Sequence, residues 1–151
     1  MASETFLLAI KSTIDKLGND LALSLTPPAL FVDLDDATAT EAALASETNT
    51  IVWSLGEFQE DPRDPIYRLS FDIGPRTCND PSNYTILALT GKVKALFVPG
   101  SAIAIKDYSG ALATATQGTL FITDVSVNQQ VYDKTSGVRL VSIYARAQRW
   151  L

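Results

Sequence analysis

A chain of 151 residues, 46% hydrophobic and 19% charged, suits one domain with a single core and is neither a disordered tail nor a coiled coil. Histidine is absent and Cys78 is the only cysteine, which removes disulfide frameworks, Cys/His zinc sites and histidine-based nucleophile pairs within one chain. The net charge of −5 leaves no basic footprint for nucleic acid or an anionic membrane, and no apolar run approaches the ~20 residues of a membrane span.

In chain order, Ser3 is a candidate N-cap, and Phe6, Ile10, Ile14 and Leu17 recur at three- and four-residue spacing up to Gly18. This predicts an amphipathic helix closed by a C′ glycine. No basic stretch precedes these interrupted apolar residues, so the N-terminus does not read as a secretory signal and the chain is expected in the cytoplasm. Pro27 and Pro28 break any helix, and Ala29 to Val32 then reads as a short apolar strand. Asp35 to Asn49 has Leu44 as its only large apolar residue and reads as a mobile acidic loop, with at most one helical turn.

Ile51, Trp53 and Leu55 alternate on one strand, "EDPRDP" supplies a turn, and Tyr67, Leu69, Phe71 and Ile73 alternate against outward Arg68, Ser70 and Asp72. Asp80 as N-cap and Pro81 in the first turn predict a second helix with Ile86, Leu89, Val93, Leu96 and Phe97 as its apolar face, ended by Pro99-Gly100. Gly91 within it costs roughly 1 kcal/mol relative to alanine, which predicts a close approach of another element. Strands are expected over Ser101 to Tyr108, Gly118 to Tyr132 and Val138 to Arg149, the last two forming a long hairpin through "DKTSG". On the closing strand neither face is clearly polar, so both are expected to need cover. The sum is an α+β domain over residues 1–151: a mixed, mostly antiparallel sheet of five to six strands packed with two main helices.

Asp33, Asp35 and Asp36 resemble an oxygen ligand set for Mg²⁺ or Ca²⁺ in a metal-assisted hydrolase, yet no glycine-turned calcium loop or phosphate cradle accompanies them. Asp61 and Asp64, with Glu57 and Glu60 around Arg63, form a charged hairpin tip better suited to solvent or a neighbouring subunit than to acid/base chemistry. Cys78 lacks a basic partner nearby in sequence and reads as passive. Trp150, beside Arg146 and Arg149, is of the type enriched where subunits meet, and it can equally fold back onto its own core; the pattern leaves both open. Asp33 to Asp64 holds nine acidic residues against the single Arg63, whereas the chain from Pro65 onward holds five acidic against nine basic ones. Such a partition lets copies of one chain attract each other. No cofactor motif is present, and no catalytic residue is assigned.

The Trp53 to Phe58 strand, the "EDPRDPIYRLSFDIG" hairpin, the helix from Pro81 and the terminal strand "VRLVSIYARAQRW" together resemble the tail terminator, or tail completion, proteins of long-tailed bacteriophages. The resemblance covers most of the chain and is architectural. It implies a non-enzymatic virion protein assembled in the host cytoplasm, a homohexameric ring at the head-proximal end of the tail tube. Its implied partners are the tail tube protein, a neck, connector or head-completion protein, and in a contractile tail the sheath protein. DNA would cross the lumen without specific binding, and acidic lumen residues would keep phosphates from sticking. Asp61, Arg63, Asp64, Arg146, Arg149 and Trp150 are the expected subunit contacts. Another neck, sheath-associated or tube-capping component shares this reading.

Overall fold

The computed structural model describes residues 2–46, 48–60, 66–77, 84–108, 115–128, 137–138 and 140–150. Helix α1 (Ala2–Ser24) buries Phe6, Ala9, Ile10 and Ile14 on one face, as the spacing predicts. It does not stop at Gly18. The helix continues for another turn and a half because Leu21 and Ala22 extend its apolar face, and Gly18 is the point where it crosses the Phe31 ring. A Cβ at that position would overlap the ring, so the glycine serves close packing rather than a cap.

Strand β1 (Leu30–Asp33) follows the proline pair, and the stretch expected as a loop folds into helix α2 (Ala37–Ala45). Alanine's helix propensity and the Asp36 cap, which accepts a hydrogen bond from the Ala39 amide at 3.1 Å, account for it. Thr40 and Ala43 are buried beneath, and the Thr40 hydroxyl donates to the Asp33 carbonyl at 2.9 Å. The loop reading is thereby corrected over Ala37–Ala45: few large side chains are needed where alanine and threonine can pack directly on a sheet.

Strands β2 (Thr50–Glu60) and β3 (Ile66–Thr77) pair antiparallel, β4 (Ala102–Ile105) and β5 (Gly118–Asn128) follow α3 (Tyr84–Leu96), and β7 (Leu140–Arg149) closes the chain. The architecture is α+β, with sheet order β1-β2-β3-β7-β5-β4 and the two-residue β6 (Gly137–Val138) beside β3. Among the described residues β1 and β2 pair in parallel and the remaining pairs are antiparallel. The four-residue strands β1 and β4 are the two margins. Asp80, Pro81 and the "DKTS" part of the last turn lie outside the described residues, as do Asp61, Arg63, Asp64 and Cys78.

One face of the sheet carries Trp53, Phe71, Ile73, Leu120, Ile122 and Ile143 against α1 and against Leu89, Val93 and Phe97. Beyond β4 the chain is fastened to α1, whose Ser12 and Thr13 hydroxyls donate to the Lys106 carbonyl at 3.0 and 2.9 Å. The opposite face of β7 carries Leu140 and Tyr144, as the alternation predicts, together with Ser142, Arg146 and Gln148, so it is mixed where the inner face is apolar. Helix α2 covers only the β1–β2 end of that second face. There the Thr50 hydroxyl reaches the Ala43 carbonyl at 3.5 Å, and Arg76 Nη1 donates to the Leu44 carbonyl at 3.3 Å. Gly91, contrary to expectation, is met by no other element among the described residues: a Cβ there finds nothing of them within 4 Å.

Candidate functional site

The three carboxylates that suggested a metal set are engaged in different ways. Lys11, on α1, places its Nζ 2.7 Å from Asp33 Oδ2 and 3.6 Å from Asp35 Oδ2. Asp33 Oδ1 also accepts the Asp35 amide at 3.0 Å, while Asp36 caps α2. The lysine thus occupies the cation's place between two of the three. Its role was hidden in the sequence because it arrives from a different element. Among the described residues no group of three or more His, Cys, Asp or Glu is placed to hold a metal ion.

One turn along α1, Asp15 Oδ1 accepts a 2.6 Å hydrogen bond from Trp53 Nε1, which supplies the polar end of an otherwise buried indole with its partner. Burial pushes the Asp15 carboxyl above its ordinary 3.8 and the charge of Asp33 adds to this, while the Trp53 N–H and Lys11 pull the other way. The Lys11 ammonium is held above its ordinary 10.5 chiefly by its hydrogen bond to Asp33, opposed by burial and aided by the charges of Asp33 and Asp35. Both groups therefore bind their proton more tightly in the folded chain. Their contributions are fully present below 3.8 and 10.5 respectively and are lost as pH rises through each folded value. Asp15→Asn keeps the acceptor for Trp53 and removes the titration. Its stability relative to wild type is expected to rise as pH goes from acid to neutral, read from urea midpoints; a pH-independent difference between the two proteins overturns the assignment.

The sheet face over β3, β7 and β5, which no described helix covers, is a second functional candidate. Two bulges, between Leu55 and Phe58 on β2 and between Ile122 and Asp124 on β5, flank the Ser70–Tyr144 rung at its centre. Around that rung lies a shallow depression of about 360 Å³ lined by Glu57, Arg68, Ser70, Thr123, Tyr144 and Arg146. Arg68 and Arg146 sit directly opposite each other, both exposed, and among the described residues neither has an ion pair. Like charges in facing positions destabilise a strand pair, so this rung is better suited to an acidic partner than to solvent. Phe121, opposite Arg146 on β5, and Tyr144 are the exposed aromatics of the face, at 36% and 47%. The alternation of β3 made Arg68 legible as outward; its juxtaposition with Arg146 depends on strand register, which the sequence does not carry.

The structure divides the C-terminal trio. Arg146 lies on the open face, Arg149 is half-buried on the other side of β7 opposite Gly118, and Trp150 stands 58% exposed beyond the strand. The Trp150 amide donates to the Gln117 carbonyl at 2.9 Å, so its backbone is anchored while its side chain is not. Ile66 pairs with Gln148, which brings the start of β3, and hence the strand ends flanking Asp61, Arg63 and Asp64, to the same end of the sheet as Trp150.

No family model matches the sequence, and no curated protein matches it. A solved structure is similar across 100% of this chain and 99% of its own, with a TM-score of 0.65 at 14% sequence identity, a likeness of fold alone. Among the described residues no helix is long and apolar enough to cross a membrane.

Proposed function

We propose that this chain is a structural, non-enzymatic subunit of a homo-oligomeric ring, hexameric as the resemblance implies, at the head-proximal end of a phage tail tube. There it ends tube polymerisation and joins the tube to the neck or head-completion proteins, acting through surface complementarity. The observation that carries the reading is the sheet face left bare by α1, α2 and α3, with Arg68 and Arg146 facing each other, neither ion-paired among the described residues, beside exposed Phe121 and Tyr144. Uncovered aromatic and arginine side chains of this kind are what subunit and tube contacts use. The Asp33, Asp35 and Asp36 cluster favours no hydrolytic reading, since Lys11 and the α2 cap engage it.

The test is sizing by light scattering coupled to gel filtration, with negative-stain imaging of the particle, with and without tail tube protein. Rings that cap tube ends support the proposal; a chain that stays monomeric under both conditions overturns it. Imaging a ring elsewhere in the particle would assign a different neck or sheath-associated position. Trp150→Ala is expected to leave the unfolding midpoint unchanged, because the side chain is exposed, while weakening assembly by about 2 kcal/mol if Trp150 anchors a contact. A variant ring as stable as the wild type removes Trp150 from the interface.

A further inference from the structure

Helix α3 has two apolar faces. Ile86, Leu89, Thr90 and Val93 are buried against the sheet. On the opposite side Tyr84, Leu87, Ala88, Gly91 and Ala95 recur at three- and four-residue spacing, all exposed, with Tyr84 at 76% and Leu87 at 49%. Lys92 and Lys94 border this second face on either side, and among the described residues neither has an ion pair. Apart from Thr85 and Thr90 the helix is polar only at these two lysines, and a second apolar face of this kind calls for cover. Among the described residues this second face is left open except where Ala88 and Lys92 border a depression shared with Leu25, Pro27 and Ala29, and Gly91 at its centre leaves room for a backbone to approach.

Charge and shape select the occupant. The outward side of α2 presents Thr38, Glu41, Ala42 and Ala45, with exposed Asp35 and Asp36 just before the helix. It is a small-residue surface with an acid at its middle, matched in sign to the lysines and in relief to the glycine. The two helices pack on opposite faces of the sheet, so the contact cannot be self-reciprocal and runs head to tail, the arrangement from which rings close. We infer that the outer face of α3 in one copy docks on the outer face of α2 in the next, with Lys92 and Lys94 flanking Glu41.

This inference rests on the ring reading and specifies its contact. Because a Cβ at position 91 meets nothing among the described residues, Gly91→Gln is expected to fold with an equal or higher melting temperature while obstructing the approach of α2. Association, measured by sedimentation equilibrium on the full chain, is expected to weaken on the order of a hundredfold in Gly91→Gln and in the double variant Lys92→Glu, Lys94→Glu. Mixing that double variant with Glu41→Lys is expected to restore hetero-association. A wild-type chain monomeric at every soluble concentration and on tube ends overturns the ring reading itself. Wild-type rings with undiminished variant rings overturn only the α3–α2 contact, and loss of assembly without rescue by Glu41→Lys overturns α2 as the occupant.

Discussion

Trp53→Ala is expected to lower the unfolding free energy by about 3–5 kcal/mol, a large share of the 5–15 kcal/mol of a typical domain. The indole is fully buried, stacked near Phe31 with centroids 6.5 Å apart and set edge-on to Phe71 at 6.4 Å, so its removal opens a cavity between α1, β1 and β3. A second effect compounds the first, because Asp15 loses the N–H that stabilises its partly buried charge. Trp53→Phe separates them: it keeps most of the ring packing and loses the hydrogen bond, and is expected to cost about 1.5–3 kcal/mol. Urea unfolding followed by circular dichroism gives both values. An alanine variant less than 1 kcal/mol below wild type would show that the indole does not organise this core.

Gly118→Ala is expected to destabilise by about 3 kcal/mol, whereas Gly91→Ala is expected to be neutral or to stabilise by up to about 1 kcal/mol. At the start of β5 a Cβ would overlap the carbonyl oxygen of Gln148 on the paired strand and come within 2.9 Å of the Phe6 ring. The obstruction is backbone, which cannot swing aside as a side chain can, and it stands where β5, β7 and the first turns of α1 converge. At position 91 the added methyl meets nothing and removes conformational freedom only from the unfolded chain. Thermal unfolding of the two variants side by side checks the opposite signs. Equal midpoints would refute the steric assignment.

These glycines also mark the boundary of what the sequence could say. Periodicity made the inner faces of α1, β2, β3 and α3 legible, since burying Ile10, Trp53, Phe71 and Val93 in one core requires those spacings. It could not say which glycine meets a neighbour: Gly18 reads as a cap and lies against Phe31, while Gly91 reads as a contact point and is open. Helix α2 escaped recognition for a related reason, because alanine and threonine carry no amphipathic signal even when Thr40 and Ala43 pack tightly. The carboxylates of Asp33 and Asp35 looked available for a metal until the fold brought Lys11 onto them. In each case the deciding partner belongs to another element, and local pattern is silent about long-range neighbours.

The sheet is bounded by β1 and β4, each four residues long, although its inner strands β2, β3, β5 and β7 run to ten or more. A foreign strand that added to either margin would gain a ladder too short to outweigh the entropy of ordering it. Runaway stacking into fibrils is thereby discouraged, and copies that meet must recognise one another through side chains, whose geometry can demand a closed circuit. If the chain is the ring subunit proposed above, the same short margins keep a protein that halts another polymer from becoming one itself.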